Sequence, residues 1–232
     1  MRLDKMLSEC GVASRSEVAR ACRKGLVLVN GAPAARPDLQ VDETTAAVVY
    51  CGALVRYRKF VYLLLNKPSG YISATEDGSD PVVTDLLPPE YRRMGVFPCG
   101  RLDKYTVGLM LLTNDGDLSH RLLAPKNHVA KSYRFTCEKP LSNDEKTALE
   151  AGVDIGGYFT KPCQIELTAP CEGTITITEG KYHQIKRMLE AVDNKITFLE
   201  RVTFGGIALP PDLKRGEWRE LNDEELNLLK NS

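Results

Sequence analysis

Six residues, Val107-Gly-Leu-Met-Leu-Leu112, run without a polar interruption and close at Asn114-Asp115-Gly116. So short an apolar run, ended by a turn signal, fits a sheet strand covered on both faces better than a helix. The chain must therefore fold around a sheet with material on either side. Immediately ahead of the run, Arg101-Leu-Asp103-Lys104 places one carboxylate between two cations where the chain enters the core. A nearby cation favours the charged form of a partly desolvated acid, and an ionised, poorly hydrated carboxylate is a usable nucleophile. The same triplet also describes an ordinary loop-to-strand salt bridge, so its meaning depends on the rest of the chain.

The 31 basic and 31 acidic side chains cancel overall but are unevenly spread. Residues 1–59 hold ten Lys/Arg against six Asp/Glu, and residues 92–134, around Asp103, hold eight against three. A basic N-terminal module and a locally basic site on an otherwise acidic body point to a polyanionic ligand. No stretch approaches the roughly 18 apolar residues a membrane span needs, and no apolar leader follows Met1. A membrane is thus not an expected partner, and the cytoplasm is the expected location. Seven cysteines without a Cys-x-x-Cys pair, and histidines only at 120, 128 and 183, show no ligand spacing. Neither a disulfide framework nor a metal site is expected.

The first module is strongly patterned. Leu3, Met6, Leu7 and Cys10 share a helical face and Gly11 follows, which predicts a helix over 2–10. Ser14 and Glu17 form a capping-box pattern, and Val18, Ala21 and Cys22 supply the face of a second helix that Gly25 ends. Leu26–Val29 leading into Asn30-Gly31 predicts a strand and a tight turn. Arg2, Lys5, Arg15, Arg20, Arg23 and Lys24 fall on outward positions, where they would contact phosphates with little sequence choice. Arg56-Tyr-Arg-Lys59 reads as a basic linker, giving domains at 1–57 and 58–232.

In the second domain, strands are predicted over Phe60–Asn66, Val107–Thr113, Lys131–Cys137, Cys163–Leu167, Thr174–Thr178 and Ile196–Thr203. Helices are predicted over Asp117–Leu123, Ser142–Ala151 and Asp223–Leu229. Strands outnumber helices and do not alternate with them, so the fold class is α+β with a mixed, mainly antiparallel sheet. Three further segments have unusual content. Lys67, in the Asn66–Tyr71 turn, is either a phosphate contact or part of a plain loop. Tyr133, Phe135 and Cys137 share one face of a strand, so Tyr133 is either a core aromatic or part of a site. Ile185, Met188, Leu189 and Val192 lie at helical spacing, which leaves His183, Lys186 and Arg187 near a helix start, as an anion site or a solvated basic turn.

Two resemblances join these segments. Arg2–Leu7, Ser14–Ala19 and Gly25–Gly31 resemble the RNA-binding domain named after a small-subunit ribosomal protein, the alpha-L motif. Gly100-Arg-Leu-Asp103, Thr106, Gly108–Gly116, Lys131-Ser-Tyr133 and Glu179–Met188, in that order, resemble the RsuA family of ribosomal RNA pseudouridine synthases. The likeness extends from Leu65 through Leu221. It implies that a uridine in rRNA is isomerised: the glycosidic bond to nitrogen breaks, and the uracil rotates and rejoins through carbon. No metal or cofactor is implied. Carried over by motif position, Asp103 is the catalytic carboxylate and Lys186 the cation paired with it. Tyr133 is the aromatic that stacks on the flipped base and handles a proton, Arg101 fills the vacated space, and Ile185 lines the site. Lys67, Lys131, His183 and Arg187 are expected to contact the substrate. Two roles stay open for Asp103, attack on the anomeric carbon or removal of a sugar proton. The chain departs from the family at Asp193, where glycine is usual before Asn194. Its length without a long basic tail resembles the small-subunit enzymes, so the expected substrate is 16S rRNA at uridine 516, met by a monomer within a small-subunit assembly intermediate. A 23S rRNA synthase and a non-catalytic rRNA-binding assembly factor are the alternatives.

Overall fold

The structure, a computed structural model, describes residues 1–231, which form two compact units. The first comprises residues 1–61 and 87–97, and the second the remainder.

The first unit contains helices α1 (Leu3–Glu9), α2 (Arg15–Arg23) and α3 (Pro89–Arg93). Strands β1 (Val27–Val29), β2 (Ala32–Pro33), β3 (Val48–Tyr50) and β4 (Ala53–Val55) form a sheet in the order β2-β1-β3-β4. The expected capping box closes the start of α2, with Ser14 and Glu17 each accepting from the other's backbone N–H. Asn30 and Gly31 both take positive φ (51° and 82°), as a two-residue hairpin turn requires. The return strand β2 went unforeseen because it is two residues long and contains Pro33, which is tolerated at the sheet edge. Leu3, Met6, Leu7, Val18, Val27 and Val48 are buried together as the unit's core. The segment 87–97 joins this unit through a contact no pattern announces: a Cβ on Gly11 would lie 2.2 Å from the Glu90 carbonyl oxygen. Arg2, Lys5, Arg15, Arg20, Arg23 and Lys24 are all exposed. Arg2 is paired with Asp4 at 2.8 Å and Lys5 with Glu9 at 3.6 Å, whereas the other four make no ion pair among the described residues.

The second unit holds strands β5 (Tyr62–Lys67), β6 (Phe97–Cys99, entering from the first unit's segment), β7 (Val107–Thr113), β8 (Lys131–Cys137), β9 (Gln164–Ala169) and β10 (Glu172–Ile177). Then come β11 (Ile196–Phe204), β12 (Ile207–Ala208) and β13 (Trp218–Glu220). Its helices are α4 (Gly116–Leu123), α5 (Asn143–Ala151), α6 (Gln184–Glu190) and α7 (Asp223–Lys230). The sheet runs β13-β5-β7-β11-β8-β10-β9, with β6 attached to β7 and β12 to β11. Along that path β7 and β11 are parallel and every other pair is antiparallel. This is the mixed, mainly antiparallel sheet expected. All seven residues of β7 are buried, as its unbroken apolar run required. Leu64, Leu109 and Leu111 pack against Leu118 and Leu122 of α4 and Leu229 of α7. Ser142 and Asn222 cap α5 and α7 in capping boxes with Glu145 and Glu225. Asp193 has φ 53°, a left-handed conformation that glycine takes freely and aspartate tolerates. That explains why glycine suits this position and why the departure costs the fold little. No helix among the described residues is long and apolar enough to cross a membrane.

Gly108 permits the parallel pair. Its φ is 99°, and a Cβ there would fall 2.3 Å from the carbonyl oxygen of Arg201 on β11. Gly108→Ala must add backbone strain and push the strands apart. The expected loss is on the order of 3 kcal/mol, read as a lower urea midpoint; a midpoint equal to wild type would show that the pair has slack.

Candidate active site

Asp103 sits in the turn before β7, and that turn is fastened by the chain that follows β5. Lys67 Nζ donates to four carbonyl oxygens, those of Pro68 (3.2 Å), Asp103 (3.2 Å), Lys104 (3.1 Å) and Thr106 (2.9 Å). Ser73 Oγ donates to the Leu102 carbonyl at 2.7 Å and accepts from the Leu102 N–H at 2.9 Å. Gly70 N–H donates to the Lys104 carbonyl at 2.9 Å. Lys67 is 0 % exposed, so the expectation that it contacts substrate is corrected. It terminates a buried strand, and its ammonium is consumed by backbone oxygens, of which those of Asp103 and Lys104 also accept from the Thr106 and Gly70 N–H groups. Burial lowers its pKa to about 8, against an opposing pull from Asp103.

The side chain of Asp103 is held from the other side. Lys186 Nζ donates to Oδ2 at 2.6 Å, and His183 Nε2 lies 3.4 Å from Oδ1. The carboxylate is one-quarter exposed, open to a reactant, with Oδ2 hydrogen-bonded to Lys186 and Oδ1 facing His183. Lys186 projects from α6, and the loop before that helix is tied down by Glu179. That buried acid accepts from the Tyr158 hydroxyl (2.6 Å), the Lys161 N–H (3.0 Å) and Gln184 Nε2 (2.8 Å). His183 takes φ 51° directly before the helix, and Tyr182 stacks on its ring, with centroids 3.8 Å apart. The structure therefore brings Asp103, Lys186 and His183 together. Arg101 is exposed and makes no ion pair among the described residues, Arg187 is half-buried on α6, and Ile185 is buried there. Tyr133 is 7 % exposed on β8, and its hydroxyl makes no hydrogen bond among the described residues.

Lys131 is not at the surface. It donates to the Val129 carbonyl at 2.8 Å, lies 5.3 Å from the Phe204 ring centre, and has its pKa lowered to about 8 by burial. Lys131 was expected to contact substrate; its ammonium is turned to the protein's own backbone, and the strand alternation carried the signal. Lys131 has the same parity as Tyr133, Phe135 and Cys137, hence the same inward face. Arg201 was missed altogether. It is buried on β11, donates from Nε to the Leu109 carbonyl at 2.7 Å, and leaves Nη2 without a partner. Glu200, beside it, is a buried acid that accepts from Arg134 and Arg215, and Arg215 also donates to Asn66. Nothing in the run Leu199-Glu-Arg-Val202 marks these two as interior; only the sheet order places them between β7 and β8.

The chain is similar to known proteins along its whole length. Residues 61–191 match the RNA pseudouridylate synthase family and residues 1–45 the S4 domain. The chain is 48% identical over 234 residues to the RNA pseudouridine synthase YtzG of Bacillus subtilis, covering 99% of this chain and 98% of that protein. It is 38% identical over 230 residues to ribosomal small subunit pseudouridine synthase A of Yersinia pestis, covering 97% of each chain. A crystal structure of a pseudouridylate synthase superposes with a TM-score of 0.69 at 33% identity, covering 99% of both chains.

Lys67 offers a test of the brace. Lys67→Met takes one donor from each carbonyl around Asp103 and leaves others with none, at a cost of about 1–3 kcal/mol. The difference from wild type is also expected to grow with pH. A buried lysine with a depressed pKa opposes folding while charged, and that opposition fades as pH rises from about 8 towards the ordinary value of 10.5. Urea unfolding of both proteins at pH 7.5 and 10 reads this, and a constant gap would show that Lys67 titrates as it does in the unfolded chain.

Proposed function

This chain belongs to the RNA pseudouridylate synthase family, in its RsuA branch, and from that membership we propose that it isomerises a uridine of 16S ribosomal RNA through Asp103. The observation that carries the reading is the presentation of Asp103. Its backbone is clamped by Lys67 and its carboxylate is gripped by Lys186, with one oxygen facing His183 at the edge of a basic region. The isomerisation breaks the bond from N1 of uracil to C1′ of the ribose and forms one from C5 to C1′. The C5 hydrogen leaves as a proton and N1 gains one, so the change is redox-neutral. An ionised carboxylate beside the sugar serves either opening step, covalent attack at C1′ or removal of a sugar proton. The uridine must first leave its stack, at a cost of a few kcal/mol. Stacking on Tyr133, worth roughly 1–3 kcal/mol, and insertion of Arg101 into the vacated space offset that cost in this reading. Ile185 lines the site, and Arg187 contacts the RNA backbone.

Residues 1–57 are assigned to docking. Their exposed cations meet RNA phosphates, and the four without ion pairs, Arg15, Arg20, Arg23 and Lys24, carry most of the effect. Full-length similarity to an enzyme named for the small ribosomal subunit supports 16S rRNA, with uridine 516 as the target and a small-subunit assembly intermediate as the form recognised. A pure assembly factor would have no use for a carboxylate held open between a lysine and a histidine.

RNA carrying tritium at C5 of uridine releases it to water upon isomerisation. Asp103→Asn is expected to abolish release while binding rRNA within a few-fold of wild type, whereas release by that variant would remove Asp103 from the chemistry. Mapping pseudouridine in 16S and 23S rRNA from a deletion strain identifies the lost site, and a loss confined to 23S rRNA would overturn the small-subunit assignment. Reversing Arg15, Arg20, Arg23 and Lys24 to Glu is expected to flatten the dependence of RNA affinity on salt. An unchanged slope would place docking elsewhere.

A further inference from the structure

Among the described residues the three most exposed aromatic side chains are Tyr105, Phe159 and Tyr182, and two of them border Asp103. Tyr105 follows Asp103 by two residues in the braced turn and is 70% exposed. Tyr182, also 70% exposed, is stacked on His183, whose Nε2 is 3.4 Å from Asp103 Oδ1. Neither hydroxyl makes a hydrogen bond among the described residues, so no hydrogen bond there accounts for either ring being outside. Both rings are nevertheless tethered. Tyr182 lies nearly parallel to the imidazole, at 19°, leaving its other face to solvent. Beside Tyr105, the Lys104 ammonium lies 5.9 Å from the ring centre and is itself fixed to Asp80 at 2.7 Å. A flat, pre-positioned aromatic face beside cations is what unpaired nucleobases stack upon, and stacking tolerates any base because every base has a π-face.

We propose that Tyr105 and Tyr182 are stacking platforms for the unpaired nucleobases that neighbour the target uridine, one carried by the Asp103 turn and the other by the segment that grips the carboxylate. The inference rests on the isomerase reading and adds the substrate's conformation to it. The RNA must present the uridine in a locally single-stranded stretch, because paired neighbours could not offer their faces to these rings. The two residues then select for loop or unfolded RNA, while Asp103, Lys186 and Tyr133 act on the uridine itself.

The test uses the full chain and an rRNA fragment containing the modified uridine, together with two copies of that RNA bearing an abasic site at one or the other neighbour. Tyr105→Ala and Tyr182→Ala are each expected to weaken binding by about tenfold or more, with Tyr→Phe at either position restoring affinity. Tritium release at limiting RNA is expected to fall in step with affinity. Each alanine penalty is expected to vanish on the RNA whose matching neighbour is abasic, a coupling that mere local distortion would not produce. Alanine variants that bind like wild type, or penalties that persist on both abasic RNAs, would overturn the proposal. Wild-type release in the same assay reports on the isomerase reading separately, so unchanged affinities beside intact release would remove the platforms and leave Asp103 in place.

Discussion

Strands β7 and β11 run parallel, so the chain enters both from the same end of the sheet. The turn that carries Asp103 precedes β7, and α6, which carries Lys186, precedes β11. Parallel pairing therefore brings together two segments more than eighty residues apart and lets one ammonium reach one carboxylate at 2.6 Å. An antiparallel pairing would send them to opposite ends. Gly108 makes the close approach possible, since any side chain there would strike the Arg201 backbone. The glycine that looked like one more motif position five residues after Asp103 is thus a condition for the site.

Behind that junction lie buried charges of both signs, with Glu200 beside Arg201. Lys67, Lys131 and Arg201 are all buried, and burial acts against the charge of the two lysines. Burying such groups costs least when their donors are used. Lys67 spends its donors on the Asp103 turn, Lys131 bonds the Val129 carbonyl, and Arg201 bonds the Leu109 carbonyl. Asp103 is the acid at the mouth of this region. With eight basic side chains against three acids over residues 92–134, the surroundings of Asp103 suit a polyanionic ligand.

Much of this layout was legible in the chain. The unbroken apolar run announced β7, alternation announced β8, and Ser-x-x-Glu patterns announced the starts of α2 and α5. The charge imbalance located Asp103 in a basic neighbourhood, and the order of segments supplied the lysine that pairs with it. What could not be read was which cations face inward. Lys67 and Lys131 look like surface lysines until the strand ends are placed, and Arg201 and Glu200 depend on the sheet order. Strands of two or three residues, β2, β4, β12 and β13, are too short for any periodicity to show. Tyr105 and Tyr182 were equally silent, because exposure is a property of the assembled fold.

The account turns on Lys186 acting through the carboxylate of Asp103 rather than as one more phosphate contact. The direct measurement is single-turnover tritium release at saturating rRNA, made alongside RNA affinity, for wild type and Lys186→Met. The account predicts a fall in the rate of release by several orders of magnitude with affinity changed only a few-fold. A rate that returns to the wild-type value once the RNA is saturating, with affinity carrying the whole loss, would contradict it.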